Sequence, residues 1–384
     1  MLPSRDAAPA GPGSSVPPRM IFHVPYPLQG AGASGSGIRP GRMLAAFRDL
    51  GLDVTVVAGS AAERKRQIAD VSRALAAGEH YDFCYSESST MPTALTEPNH
   101  LPLHPAMDLA FLARLRRRGT KVGLFYRDVY WRFPSYAETT KAPQRWVAKA
   151  FYTADLLAYR RAVDVLYLPS LPMADHVSPG HPHPVALPPG HDDPPLTPVD
   201  PSPPRLLYVG GLGEYYNLTT VVTALKRCHD EGLDVHLVLC TPEKLWQAEK
   251  ATYEPLLSPA VTVVHESGEQ LRQRYAETNI ATLALEPNLY RSFAAPVKQY
   301  EAIGMGKPLL ATEGTLTAEL VRSTGAGWVV PDEVDACVEL LRRLHDHPDE
   351  VAEASARSAA LRESHSWRAR ARQVVEELTG RTLS

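Results

Sequence analysis

Short apolar runs alternate with segments of helical periodicity along the first half of the chain. The strand-like runs cover residues 20–24, 54–58, 83–85, 122–126 and 165–168. The helix-like segments between them cover residues 42–50, 62–77 and 106–118. Because buried strands and helices that alternate in this way form parallel sheets, we expect a doubly wound α/β domain with helices on both faces.

The same alternation returns in the second half. Strand-like runs cover residues 205–209, 235–240, 261–264 and 280–285, and helical segments cover 218–229, 268–278 and 367–378. A segment rich in proline and histidine, residues 169–204, separates the two halves. We predict a tail at 1–19, disordered because it is rich in Pro, Gly, Ser and Ala, and domains at 20–187 and 205–365. A linker at 188–204 joins them, and a helix at 366–384 crosses back.

Residues 290–312 read as a loop, a short helix, a tight turn and a buried strand. Pro296 suits the first helical position, and Gly304 and Gly306 suit a left-handed cap. Lys298 then lies in the first helical turn, where a cation is unfavourable because the backbone N–H groups already carry partial positive charge. Either Glu301, three residues on, or a bound phosphate would relieve that charge.

Polar residues follow two neighbouring strands of the first half, at Ser86, Glu87, Arg127 and Asp128. Ligands of such sheets bind at the carboxyl ends of the strands, so Glu87, Arg127 and Asp128 are candidate catalytic residues. An ion pair between Arg127 and Asp128 that closes a loop is the structural alternative.

A glycine-rich loop at 30–37 precedes the first helix. It places Gly35, Ser36 and Gly37 where backbone can approach a ligand at the N-terminus of the helix. A flexible connection is the alternative, and the spacing does not give a dinucleotide-binding pattern.

Composition narrows the possible functions. The 384 residues carry a net charge of -3, which argues against a dedicated nucleic-acid binder. Without a long apolar run or a secretory leader, we expect a cytoplasmic protein.

We predict four core cysteines and no metal site, because His181, His183 and His191 lie among prolines without paired acids. Aromatic and basic residues at 130–161 could form a lid, an acceptor wall or a membrane-surface patch.

Several segments resemble the GT-B glycosyltransferases, specifically glycosyltransferase family 4, over nearly everything after residue 19. They are the strand, glycine turn and helix at 208–225, the helix at 296–308, the junction at 188–192 and the helix start at 366–367. The resemblance implies two Rossmann-like domains that face a central cleft, with a C-terminal helix that returns to the first domain. It also implies a retaining, metal-independent transfer of sugar from a nucleotide diphosphate sugar to an acceptor hydroxyl, with no further cofactor.

By the same resemblance, Glu301 matches the second carboxylate of the family's E-x7-E motif, which binds the ribose hydroxyls. The family's remaining donor-binding positions depart from the pattern. Phe293 stands in place of the first motif glutamate, and Gly211 and Tyr216 stand in place of a basic pair that grips the diphosphate.

Arg127 takes the place of the family's first-domain histidine. We therefore expect Lys298 and Arg291, with the turn at Gly210 and Gly211, to bind the diphosphate. A nucleotide-sugar epimerase and a catalytically silent nucleotide-sugar-binding partner are the alternatives that these departures leave open. The oligomeric state is not predicted.

Overall fold

A computed structural model describes residues 17–28, 35–177, 184–196, 199 and 202–383. Most of the predicted tail, the glycine loop at 30–34, His181 and His183 lie outside these ranges. Arg19, the last residue of the predicted tail, begins the first strand.

The first half contains a parallel sheet and its helices. The elements are β1 Arg19–His23, α1 Gly35–Asp49, β2 Asp53–Val57, α2 Ala61–Ala76, β3 Phe83–Glu87, α3 Met107–Arg117, β4 Lys121–Phe125, α4 Ser135–Thr139, α5 Ala142–Ala162, β5 Val165–Leu168 and β6 Pro184–Ala186. The six strands lie in the order β2-β1-β3-β4-β5-β6. Neighbouring strands of a parallel sheet require crossover connections, and α-helices supply all of them here except the one between β5 and β6.

The second half repeats this plan. Its elements are β7 Arg205–Val209, α6 Thr219–Asp230, β8 His236–Cys240, α7 Glu243–Tyr253, β9 Val261–Val264, α8 Gly268–Glu277, β10 Ile280–Leu283, α9 Val297–Gly304, β11 Leu309–Thr312, α10 Leu316–Thr324, β12 Gly327–Val330, α11 Val334–Asp346, α12 Asp349–Ala360, α13 Arg362–His365 and α14 Trp367–Thr379. The second sheet has the order β12-β11-β10-β7-β8-β9. Short 3-10 turns cover Thr93–Leu95, Tyr130–Arg132, Pro172–His176, Glu214–Tyr216 and Glu254–Leu256.

The last helix joins the two halves. The Ser366 hydroxyl caps α14 by accepting a hydrogen bond from the backbone N–H of Ala369 at 3.1 Å. Trp367, Val374 and Leu378 of α14 are buried in the same apolar cluster as Phe47 of α1, so the C-terminal helix packs on the first domain. The predicted return of this helix is confirmed.

Two local predictions are wrong. Helix α1 begins at Gly35 rather than at residue 42, so Gly35, Ser36 and Gly37 belong to its first turn and not to a loop. Pro296 is the N-cap of α9 with φ -74° and ψ 133°, and the helix proper begins one residue later. An extended N-cap backbone is ordinary, and proline's ring does not oppose it.

One of the two glycines at the end of α9 has the predicted left-handed conformation. Gly306 has φ +71°, the left-handed conformation predicted for it, whereas Gly304 is still helical. A Cβ at Gly304 would lie 2.6 Å from Cγ of His191, so glycine is needed there for close packing rather than for backbone conformation. All four cysteines are buried and free, as predicted.

Candidate functional site

A cavity of about 620 Å³ lies between the carboxyl ends of the two sheets. Its first-domain wall includes Arg39, Phe125, Arg127 and Asp128, and its second-domain wall includes Gly210, Gly211, Tyr290, Arg291 and Lys298. Among the residues that the structure describes, four cationic side chains and one carboxylate line it. A cavity with this charge balance favours an anionic ligand.

Glu87 lies beneath the first-domain wall. Its side chain is fully buried, and it accepts hydrogen bonds from the Tyr85 hydroxyl at 2.9 Å and from Nη2 of Arg127 at 3.1 Å. Arg127 also donates to the Tyr26 hydroxyl at 3.0 Å. The structure therefore brings Glu87 and Arg127 together as predicted, but only Arg127 reaches the cavity.

Asp128 connects the two walls. Its carboxylate accepts a hydrogen bond from the backbone N–H of Tyr130 at 2.9 Å and from the Tyr290 hydroxyl of the second domain at 3.2 Å. Burial raises the pKa of the Asp128 carboxyl above its ordinary value, although both hydrogen bonds oppose the shift. A carboxyl of raised pKa at a cavity wall is suited to exchanging a proton with a ligand.

Arg39 is a lining residue that the sequence analysis missed. It shares one face of α1 with Met43 and Phe47, at helical spacing, and the centre of its guanidinium lies 3.6 Å from the Phe125 ring. The error in the start of α1 hid this residue. A charged side chain four residues before a buried methionine was the signal that could have revealed it.

The glycine turn after β7 forms part of the opposite wall. The Tyr208 hydroxyl donates to the Gly211 carbonyl oxygen at 2.6 Å, and a Cβ at Gly210 would lie 2.6 Å from that hydroxyl oxygen. Gly211 has more room, since its nearest neighbour would lie 3.5 Å away. Backbone at this turn is therefore exposed to the cavity without side chains.

Lys298 and Glu301 form the ion pair that the sequence left as one of two alternatives. Nζ of Lys298 lies 2.7 Å from Oε2 of Glu301, and about a third of each side chain is exposed, 36% and 32%. Lys298 lines the cavity from the first turn of α9, and Glu301 holds it from the next turn. The pair does not exclude a phosphate, because an exposed ion pair is weak.

Arg291 is buried at the edge of the cavity. Its Nε donates to the Tyr215 carbonyl oxygen at 3.1 Å, and its guanidinium lies 4.3 Å from the centre of the Tyr216 ring. Much of its hydrogen-bonding capacity therefore holds the turn that follows the glycines.

Phe293 packs into the first domain although it follows β10 of the second. Only 2% of it is exposed, and its ring centre lies 5.6 Å from that of Phe133 and 4.8 Å from that of His176. The Ser170 hydroxyl also donates to the Phe293 carbonyl oxygen. The position that the resemblance assigns to a donor-binding glutamate thus serves as an apolar contact between domains.

The aromatic residues of 130–161 divide into two groups. Trp131 stacks on Tyr152 with ring centres 4.8 Å apart, and both are buried, whereas Trp146 on α5 is 74% exposed. Within the described residues, no helix combines the length and apolar composition needed to cross a membrane. The predicted membrane-surface contact stays a prediction.

Other parts of the described chain offer less to an anion or a metal. One further cavity, of about 370 Å³, includes Glu249 and Glu286 in its lining and no basic side chain. Another, of about 420 Å³, is lined by two arginines but by three aspartates as well, namely Arg42, Arg368, Asp49, Asp192 and Asp193. No group of three or more His, Cys, Asp or Glu side chains in the described ranges is arranged to hold a metal ion. Both ring nitrogens of His191 contact backbone, at Arg362 and Asp193.

Both the second half of the chain and its overall fold are similar to known proteins. Residues 203–347 match the family described as Glycosyl transferases group 1. A search of curated proteins found no match. Many solved structures are similar over nearly the whole chain, and three of them are described below; their identities of 14% or less carry information on the fold alone.

Sucrose-phosphate synthase from Thermosynechococcus elongatus is 14% identical with a TM-score of 0.59, over 94% of this chain and 98% of that chain. HepE from Anabaena, in complex with UDP and glucose, is 12% identical with a TM-score of 0.61, over 94% and 100%. A glycosyltransferase from Rickettsia africae is 12% identical with a TM-score of 0.57, over 96% and 99%. The predicted GT-B fold is confirmed.

Proposed function

We propose that this chain, which has the GT-B fold and whose residues 203–347 match the family described as Glycosyl transferases group 1, is a glycosyltransferase that transfers a sugar from a nucleotide diphosphate sugar to an acceptor hydroxyl. The observation that carries the proposal is the cavity between the two sheets, lined by four cations and one carboxylate. We assign the donor to the second-domain wall and the acceptor to the first. The reaction retains the configuration of the sugar and needs no metal ion.

The chemistry requires positive charge at this place. When the bond between the sugar and the diphosphate breaks, the electron pair leaves with the diphosphate, and negative charge develops on its oxygen. One cation at 4 Å contributes about 4 kcal/mol at an effective dielectric of about 20. Lys298, the N–H groups at the start of α9 and the Gly210–Gly211 turn supply such stabilisation from the second domain. HepE, a protein of similar fold, was crystallised with UDP, which agrees with a donor of this kind.

We assign the two members of the Lys298–Glu301 pair to two parts of the donor, Glu301 to the ribose and Lys298 to the phosphate. A carboxylate can accept hydrogen bonds from both hydroxyls of a ribose, and the ammonium group can bind phosphate. Because the two side chains already meet at 2.7 Å, they are positioned before the donor arrives.

The first-domain wall receives the acceptor. We assign to Asp128 the role of the base. It accepts the proton that the acceptor hydroxyl loses as the new bond to the sugar forms. Its raised pKa favours that transfer, and Arg127, held by Glu87, fixes the acceptor beside it. Glu87 is a positioning residue in this scheme because its side chain is fully buried and bonded to Arg127.

A panel of UDP-, GDP- and ADP-sugars, each with and without acceptor alcohols, tests the proposal by release of the nucleoside diphosphate. We expect release that depends on an acceptor and is unchanged by EDTA, with a product of retained anomeric configuration. Conversion of the donor sugar without an acceptor would instead identify an epimerase. Donor binding without turnover over the whole panel would identify a silent binding partner.

A further inference from the structure

Arg39 is a buried cation at the first-domain wall of the cavity. Only 4% of the residue is exposed, and none of its three guanidinium nitrogens has a hydrogen-bond partner among the described residues. A buried cation without hydrogen bonds costs stability, and an anionic ligand at the cavity wall would offset that cost.

Its neighbours leave this charge largely unbalanced. Nε of Arg39 lies 3.4 Å from Oε1 of Glu87, but Glu87 is already bonded to Tyr85 and Arg127. One carboxylate thus stands against two guanidinium groups, and both of these line the cavity. The first-domain wall keeps a net positive charge.

Packing fixes the orientation of the Arg39 side chain. Its guanidinium lies 3.6 Å from the centre of the Phe125 ring and 5.6 Å from that of Trp367. Stacking on an aromatic face leaves the N–H groups at the guanidinium edge free for an anion in the same plane. A phosphate takes two such N–H groups at once.

We propose that Arg39 is a phosphate-binding residue, which together with Arg127 holds a phosphate group of the substrate against the first-domain wall. This inference rests on the proposed function, and it locates on the first domain positive charge that Gly211 and Tyr216 cannot supply from the second. The phosphate belongs either to the diphosphate of the donor or to a phosphorylated acceptor.

Titration calorimetry of Arg39→Met and Arg39→Lys tests the assignment. The donor arm compares UDP with uridine, the acceptor arm compares glucose 6-phosphate with glucose, and inorganic pyrophosphate is a third probe. Arg48→Met is the matched control, because Arg48 is exposed on the same helix and does not line the cavity.

We expect Arg39→Met to weaken binding of the phosphorylated ligand about tenfold or more in one arm, with its unphosphorylated partner unaffected. The arm that responds identifies the source of the phosphate. Arg39→Lys keeps the charge but loses the paired geometry, so its affinity should lie between those of Arg39→Met and the parent protein.

Unchanged affinity for every phosphorylated probe in a folded Arg39→Met or Arg39→Lys protein would overturn the assignment, and a lower melting temperature alone would indicate a packing role. Failure of the parent protein to bind any nucleotide would count against the proposed function instead. Pyrophosphate affinity, compared between the parent protein and Arg39→Lys, would still decide the role of Arg39.

Discussion

The two walls of the cleft hold their positive charges in different ways. On the second-domain wall, Lys298 is paired with Glu301 and Arg291 is bonded to the Tyr215 carbonyl. On the first-domain wall, Arg39 has no hydrogen-bond partner among the described residues. The two cations of the second-domain wall thus have partners within the protein even before a ligand binds, whereas Arg39 of the first-domain wall has all three guanidinium nitrogens left for one. The second domain has no positive charge at Gly211 and Tyr216, and Arg39 provides one on the opposite side of the cleft.

The loop between β10 and α9 ties these walls together. Although it belongs to the second domain in sequence, Phe293 lies in the apolar cluster of the first domain, and the Tyr290 hydroxyl bonds to Asp128. This loop therefore sets the distance between the two groups of cations. Breaking it should change stability and ligand binding together.

Phe293→Ala should have the largest effect. Removing a buried aromatic side chain costs about 3–5 kcal/mol, and here the lost contacts also join the domains. We expect a lower urea midpoint and a weaker affinity for nucleoside diphosphates. Phe293→Leu, which keeps most of the volume, should lose much less. Equal midpoints for Phe293→Ala and the parent protein would show that the contact does not hold the walls together.

Gly210→Ala should disturb only the second-domain wall. The added Cβ would lie 2.6 Å from the Tyr208 hydroxyl oxygen, so the turn must shift, at a cost of about 1–3 kcal/mol. Gly211→Ala is the matched control, because its nearest neighbour would lie 3.5 Å away. Thermal unfolding and donor titration of both variants should separate them. Equal behaviour of the two would show that the Tyr208 contact does not shape the turn.

Tyr290→Phe should have the smallest effect, on the pH profile of transfer. The lost hydroxyl helped to keep the pKa of Asp128 down, so this pKa should rise further. If the ionised carboxylate accepts the proton, activity falls as pH drops through this pKa, and the acidic limb of kcat should move to higher pH in the variant. An unmoved limb would remove Asp128 from that role.

The same raised pKa has a consequence for stability. Because the folded protein binds the Asp128 proton more tightly than the unfolded chain, this group's stabilising contribution is complete below its unfolded pKa. It is lost as pH rises through the folded pKa. Asp128→Asn should therefore flatten the fall in unfolding free energy over that interval, measured by urea titration at several pH values.

The sequence predicts local features of this molecule better than contacts between distant segments. Strands β5, β7 and β9 have the expected bounds because apolar runs between turn residues specify them locally. The short helix with Lys298 in its first turn is also a local feature. The ion pair between Lys298 and Glu301 was one of the two predicted alternatives, beside a bound phosphate. These predictions need only neighbours in sequence.

The burial of Phe293 and the state of Arg39 depend on distant segments. Phe293 meets Phe133 and His176 of the other domain, and no sequence periodicity reports such a contact. Arg39 was missed because the start of α1, after a glycine-rich segment, was placed too late. Helix ends are set by a few local hydrogen bonds, so they are harder to predict than helix centres.

Titration of nucleoside diphosphates and the matching nucleosides into the parent protein and Lys298→Ala tests the central claim most directly. We expect the parent protein to bind at least one diphosphate about tenfold or more tightly than its nucleoside, and Lys298→Ala to lose much of that difference. Lys250→Ala, which removes a surface ion pair between Lys250 of α7 and Glu254 just after it, should behave like the parent protein. Equal affinities of the parent protein for diphosphate and nucleoside would contradict a diphosphate site in this cleft.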